Sequence, residues 1–133
     1  MGTPTTTTRG TAPFVEFSPP SIGAAEISEV VAALESGWLS TGPRVRRFEA
    51  AFAEYVGSPH AVAVSSCTAA LHLSLLASGV GAGDEVITTP LTFCATANVI
   101  VHTGATPVFA DIDPVSMNLT PESAARAITP RTK

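Results

Sequence analysis

Apolar residues recur with a helical period in the first half of the chain. Between residues 27 and 34 they share one face, with Glu26, Glu29 and Glu35 elsewhere, which predicts a helix that ends at Gly37. A second apolar stripe follows Pro43, a residue suited to the first position of a helix, and predicts a helix that stops at Gly57. The stripes consist of Ile27, Val30, Val31 and Leu34, and of Val45, Phe48, Phe52, Tyr55 and Val56.

From His60 onward, short apolar runs alternate with helical segments. Strands are predicted at residues 60–64, 85–89 and 106–111. Helices are predicted at 68–77, through 99–101 to Gly104, and at 120–128. Leucines and alanines occur on all sides of the first of these helices, so we expect it to be buried nearly all round. The repeated order of strand and helix predicts an α/β fold with parallel strands, right-handed crossovers and helices packed on the sheet.

The stretch from Ser65 to Leu71 joins the first predicted strand to its helix through small hydroxyl and thiol residues. A helix N-terminus presents unpaired N–H groups and a partial positive charge, so this corner suits an anion. Simple capping of the helix by Ser66 is the alternative interpretation. A second corner of this kind, residues 90–95, follows the next strand. Because parallel strands end at the same edge of a sheet, both corners are expected to face one crevice.

Composition narrows the class of protein. With 133 residues, 45% of them hydrophobic and 14% charged, the chain is expected to fold around one core. The formal net charge of −4 provides no basic surface, so neither nucleic acid nor anionic lipid is an expected partner. Cys67 and Cys94 lie far apart without metal-ligand spacing, which indicates neither a metal site nor a disulfide and fits a reducing cytoplasm.

No sorting signal is expected in the first residues. Residues 1–12 are rich in threonine and lack the apolar segment of a secretion signal, so they are predicted to form a disordered tail. No later apolar run approaches the length of a membrane span. We therefore expect a cytoplasmic protein without a membrane partner.

Several sequence blocks from Phe14 to the last residue form a specific combination. The blocks are Gly37–Pro43, Val45 with Phe48-Glu49, Ser65–Leu73, Gly83–Ile87, Thr92–Asn98, Gly104–Phe109, Asp111–Pro114 and Thr129–Lys133. In this order they resemble the DegT/DnrJ/EryC1/StrS family of pyridoxal-phosphate (PLP)-dependent sugar aminotransferases. The resemblance implies an aspartate-aminotransferase-like, three-layered α/β fold (PLP fold type I). The chain would be an N-terminal fragment of it, with a helical arm at 13–57 and the first part of the large domain at 58–133.

The resemblance also implies roles for particular residues. The positions that match the family's phosphate-binding turn are Cys67, Thr68 and Ala69, and the position that stacks on the pyridine ring of PLP is Phe93. Cys67 stands where the family often has glycine or another small residue. No catalytic residue is assigned within the chain.

A weaker correspondence concerns the substrate. Trp38, Ser40 and Thr41 match a loop near the substrate cleft at the family's dimer interface. On sequence alone, the favoured role of Trp38 is to attach this loop to the core by burial. A homodimer is expected of the complete enzyme, with a nucleotide sugar and an amino donor as its small-molecule partners.

The implied activity is conversion of a keto-sugar nucleotide to an amino-sugar nucleotide, with glutamate as the amino donor. The family's lysine that bonds to the cofactor lies beyond the block at 129–133, so Lys133 is not that lysine and the isolated chain is expected to be inactive. A PLP-dependent sugar dehydratase of the same family, and a non-catalytic remnant or accessory subunit, remain as alternatives. The strand at 61–64 is expected to lack its neighbour, which would make the isolated chain unstable or prone to aggregation.

Overall fold

The computed structural model describes residues 17–133, so the predicted tail at 1–12 lies outside the described residues. The boundary between two compact units lies between Arg46 and Arg47. In chain order the elements are α1 (Ala24–Glu35), α2 (Pro43–Val56), α3 (Cys67–Ala77), β1 (Glu85–Thr88), α4 (Ala95–His102), β2 (Thr106–Phe109) and α5 (Pro121–Ala127). Within residues 17–133, none of the helices has the length and apolarity needed to cross a bilayer.

Local signals determine where the helices begin and end. Pro43 is the first residue of α2, as predicted, and Pro121 is the first residue of α5. The Thr120 side chain caps α5 by accepting a hydrogen bond from the Ser123 amide at 3.1 Å. Beyond the end of α1, Gly37 has a φ of 69°, a left-handed conformation in which glycine avoids the strain of a side chain.

The sheet is parallel, as predicted. β1 and β2 pair from Glu85 opposite Thr106 to Thr88 opposite Phe109, and α4 connects them and packs on both strands. The core formed there by buried Val80, Ile100 and Ala105 is extended by Leu75 and Val86. This packing leaves the carboxyl ends of β1 and β2, where the second corner begins, at one edge of the sheet.

The strand predicted at residues 60–64 does not form, and that prediction is wrong for the described residues. Ala61 and Ala63 are half-buried whereas Val62 is 81% and Val64 38% exposed, so the side chains alternate as in an extended chain. A strand also requires a hydrogen-bonding neighbour, and β1 and β2 pair with each other instead. The segment therefore has the side-chain pattern of a strand without a partner.

The prediction that α3 is buried nearly all round is also wrong. None of its residues is buried, and Leu73 and Leu76 are each about half exposed. The reason is that α3 packs against α4, while no second layer covers its other faces within residues 17–133. The apolar composition of α3 thus exceeds what the described residues can bury.

The last residues of the chain are anchored to the start of β1 by a buried carboxylate. Glu85 is only 5% exposed and accepts hydrogen bonds from the Thr129 hydroxyl and from the Arg131 guanidinium. Its amide donates to the Arg131 carbonyl at 2.8 Å, and its carbonyl accepts from the Lys133 amide at 3.0 Å. Thr132 consequently forms a parallel bridge to Glu85 on the edge of β1 opposite β2.

This anchor predicts a specific dependence on pH. The Thr129 hydroxyl and then the Arg131 guanidinium lower the pKa of the Glu85 carboxyl below its usual value. The contribution of the ionised carboxyl to stability is therefore complete above its ordinary pKa and is lost as the pH falls through the lowered value.

Between pH 7 and 3, the difference in unfolding free energy between wild type and Glu85→Gln should shrink. Glu54→Gln, the same change at an exposed position of α2, is the control and should alter the unfolding free energy at pH 7 much less than Glu85→Gln. A difference that stays constant over this range would contradict the anchor.

Candidate functional site

Residues 65–69, which lead into α3 and form its first turn, combine a cap with free donors and are called the α3 turn below. Ser66 has an extended backbone with φ −161° and ψ 160°, and α3 begins at Cys67. The Ser66 hydroxyl accepts a hydrogen bond from the Ala69 amide at 3.1 Å, and its carbonyl accepts from the Ala70 amide at 3.0 Å. The capping role considered from the sequence is thereby confirmed.

The amides of the first two residues of α3 remain available to an acceptor from outside the described residues. Among residues 17–133, no acceptor receives the amides of Cys67 and Thr68 or the hydroxyl of Thr68. All three donors lie at the positive end of the helix and both residues are exposed. An anion with several oxygens, such as a phosphate, fits this donor set. Ala69, the third residue assigned to the turn by resemblance, already donates its amide to Ser66.

Phe93 lies in the second corner, between the end of β1 and the start of α4. Its side chain is 77% exposed, while its carbonyl accepts a hydrogen bond from the Thr96 amide at 3.0 Å. A hydrogen bond of 3.0 Å between the hydroxyls of Thr92 and Thr96 stabilises the same corner. The backbone is thus fixed while the ring face stays available for stacking. Within the described residues, no hydrogen bond or aromatic contact joins Phe93 to the α3 turn.

A cavity of about 650 Å³ adjoins the α3 turn on the side of α2. Ser66 and Cys67 contribute to its wall together with Phe48 and Phe52 of α2, whereas Phe93 does not. The exposed ring of Phe93 is therefore not part of the cavity wall.

The loop that contains Trp38, Ser40 and Thr41 folds on itself. The Trp38 indole Nε1 donates a hydrogen bond to the Thr41 carbonyl at 3.0 Å. A β-carbon at Gly42 would lie 2.1 Å from the same nitrogen, so the indole requires glycine at that position. Trp38 remains 55% exposed. Its side chain therefore closes the loop through the hydrogen bond to Thr41 and does not attach the loop to a core by burial, the role favoured on sequence alone. Its indole is therefore available to a ligand.

One polar contact near the turn was not predicted from the sequence. Half-buried Glu49 of α2 accepts a hydrogen bond from the Ala63 amide at 2.8 Å. Glu49 belongs to a block that carries the family resemblance, but no role was assigned to it. The signal available in the sequence was the position of Glu49 directly after Phe48 of the apolar stripe. A carboxylate that is partly buried beside apolar residues requires a hydrogen-bond donor.

Comparison with known proteins gives a consistent result. The sequence profile of the DegT/DnrJ/EryC1/StrS aminotransferase family matches residues 20–133. The spore coat polysaccharide biosynthesis protein SpsC of Bacillus subtilis (strain 168) is 62% identical over 120 residues, which are 90% of this chain. The matched region is 31% of the length of SpsC, so the chain spans about a third of this relative.

Two solved structures extend the similarity to the fold. The PLP form of Spr1654, a proposed sugar aminotransferase from Streptococcus pneumoniae, is 44% identical with a TM-score of 0.84 and matches 90% of this chain and 30% of its own. The aminotransferase from Psychrobacter cryohalolentis is 45% identical with a TM-score of 0.83 and matches 89% of this chain and 31% of its own. These similarities confirm the predicted α/β fold class, PLP fold type I, of which the chain forms an incomplete part.

The capping geometry predicts different effects on helix stability for two serine-to-alanine changes, one at the N-cap of α3 and one within the helix. Ser66→Ala removes the cap and should lower the stability of α3 by about 1 kcal/mol. Ser74→Ala, at a position where the hydroxyl donates to the Ala70 carbonyl, should leave stability unchanged or raise it by about 0.5 kcal/mol. Amide hydrogen exchange across α3 in the full-length protein measures both. Equal effects of the two changes would show that Ser66 does not act as a cap.

Proposed function

Because the chain belongs to the DegT/DnrJ/EryC1/StrS aminotransferase family, we propose that it is part of an enzyme that aminates keto-sugar nucleotides with PLP and glutamate. This membership confirms the resemblance noted in the sequence. The chain spans 31% of the length of SpsC, so the activity proposed here is that of the longer protein. In that protein the described residues have the task of binding and orienting the cofactor.

One observation carries this proposal: the donor set at the start of α3. The amides of Cys67 and Thr68 and the Thr68 hydroxyl lack acceptors among the described residues and suit the phosphate dianion of PLP. The exposed ring of Phe93 supplies an apolar face for the flat pyridine. Both features fit the cofactor that accompanies one of the structural neighbours, the PLP form of Spr1654.

The chain's residues would hold the cofactor while other parts of the protein react with it. PLP, when bound, would supply an aldehyde carbon that can carry an amino group between the donor and the keto substrate, and an electron-withdrawing ring that stabilises the negative charge developed during the transfer. The α3 turn binds the phosphate through charge-assisted hydrogen bonds, and Phe93 limits the orientation of the ring by stacking. Fixing the cofactor at these two places orients its reactive carbon for the residues that carry out proton transfer.

The substrate is proposed to be a nucleotide-linked keto sugar, bound in part by the loop of Trp38, Ser40 and Thr41. Support comes from the name of SpsC, a polysaccharide biosynthesis protein, and from the exposed indole at the loop. An indole face is a suitable surface for a sugar ring or a nucleobase. We further propose that the complete enzyme is a homodimer.

Lys133, the single lysine of the sequence, has a structural role. Its ammonium donates to the Gly79 carbonyl at 2.6 Å and lies 3.5 Å from a carboxylate oxygen of Asp84. These contacts occupy the end of α3 opposite the turn, since Gly79 follows the C-terminus of that helix. This position supports the proposal that the lysine bonding to PLP is supplied by another part of the protein.

Replacement of the Thr68 hydroxyl tests the cofactor site. Thr68→Val conserves volume and should weaken PLP binding to the full-length protein by about tenfold, because a charge-assisted hydrogen bond to phosphate is lost. Pyridoxal, which lacks the phosphate, should bind wild type and variant equally. Thr106→Val at an exposed position of β2 provides the matched control and should bind PLP as wild type does. Equal PLP affinities for Thr68→Val and wild type would contradict the site.

The reaction itself is tested with the full-length protein, PLP, glutamate and a keto-sugar nucleotide. Formation of an amino-sugar nucleotide together with an equal amount of 2-oxoglutarate is the expected result. A dehydrated sugar without 2-oxoglutarate would overturn the proposed amination in favour of a dehydratase. PLP binding without either product would overturn it in favour of a non-catalytic role.

The 133-residue chain alone should lack covalent attachment of the cofactor. After addition of PLP and reduction with borohydride, peptide mapping should find no stoichiometric adduct at Lys133, because its ammonium is engaged by Gly79 and Asp84. A full-length protein treated in parallel should carry one adduct at a lysine outside this chain. A stoichiometric adduct at Lys133 would contradict the proposed division of roles.

A further inference from the structure

The segment that leads into the α3 turn is held by a single hydrogen bond. Among the described residues, the contact from the Ala63 amide to the Glu49 carboxylate, at 2.8 Å, is the one hydrogen bond made by residues 61–65. The alternation of half-buried alanines and exposed valines indicates an extended conformation here. The position of the α3 turn, which begins only two residues after Ala63, therefore depends strongly on this contact.

The direction of the contact distinguishes the two edges of the segment. In an extended chain, the amide of Ala63 points to one edge, and the amides of Val62 and Val64 point to the other. Glu49 occupies the first edge with a partly buried carboxylate. A neighbouring strand would consequently find free amides on the edge of Val62 and Val64, whereas on the other edge the Ala63 amide is already bonded to a side chain from α2.

We propose that Glu49 is a positioning residue for cofactor binding: its carboxylate fixes Ala63, and through it the α3 turn, while closing one edge of the segment to strand pairing. The inference rests on the proposed phosphate site. Glu49 touches neither the phosphate donors nor Phe93 in the described residues, so it acts through the backbone of residues 63–66. A carboxylate is suited to this task because its hydrogen bond to a backbone amide is charge-assisted and strong.

Three variants of the full-length protein separate this role from a general effect on folding. Glu49→Leu removes the acceptor at similar volume, and Glu49→Gln retains an oxygen that can accept from the Ala63 amide. Glu54→Leu makes the same chemical change at an exposed position of the same helix and is the matched control.

Amide hydrogen exchange at single-residue resolution is the direct readout. In Glu49→Leu the Ala63 amide should exchange about tenfold faster, whereas the amides of Val62 and Val64, on the opposite edge, should change much less. Glu49→Gln should restore slow exchange, and Glu54→Leu should match wild type. Unchanged exchange at Ala63, or equal acceleration at all three amides, would overturn the inference.

Cofactor affinity provides the second readout. Glu49→Leu should weaken PLP binding by roughly three- to tenfold and leave pyridoxal binding unchanged, with recovery in Glu49→Gln. If wild type itself binds PLP no more tightly than pyridoxal, the proposed phosphate site fails. If wild type does prefer PLP and Glu49→Leu retains that preference in full, the positioning role of Glu49 fails while the site stands.

Discussion

The first amides of a helix have no acceptor within that helix, and this constraint organises the candidate site. In the proposed site, the amides at the start of α3 are divided between a protein cap and the cofactor phosphate. Ser66 accepts a hydrogen bond from the amide of Ala69 through its side chain, while the amides of Cys67 and Thr68 have no acceptor among the described residues. A cap and an anion site are therefore compatible at one helix end, because they use different amides.

The same requirement for hydrogen-bond partners explains how the surrounding segments are held. The extended residues 61–64 lack a neighbouring strand, and Glu49 satisfies one amide on one edge. On the sheet, Glu85 uses its carboxylate and its backbone to attach residues 129–133 beside β1. In both places a glutamate stabilises a segment that has no complete strand partner within the described residues. The chain thus contains part of a fold whose full length in related proteins is about three times greater.

Much of this architecture was predictable because its signals are local. Proline at the start of α2 and α5, glycine after α1 and the apolar periods fix the helices, and the order of elements implies the parallel pairing of β1 with β2. The two wrong predictions share a physical cause. A period of two indicates an extended chain but not its partner, and an apolar helix such as α3 is buried only where other elements cover it.

The contacts of Glu49 and Glu85 were not predictable from such signals. Glu85 meets Arg131 across 46 positions of sequence, and no periodicity links the two residues. The identity of the anion likewise could not be predicted from the residues around the α3 turn alone, because many helices begin with a capping serine and bind no ligand there. The proposed identity, the phosphate of PLP, rests on the combination of sequence blocks, and the donors at Cys67 and Thr68 supply a physical reason for it.

A crystal structure of the full-length protein with PLP tests this central claim most directly. We expect phosphate oxygens within about 2.7–3.2 Å of the Cys67 and Thr68 amide nitrogens and the Thr68 hydroxyl, with the pyridine against Phe93. A phosphate bound elsewhere, with these amides directed at protein acceptors, would contradict the account.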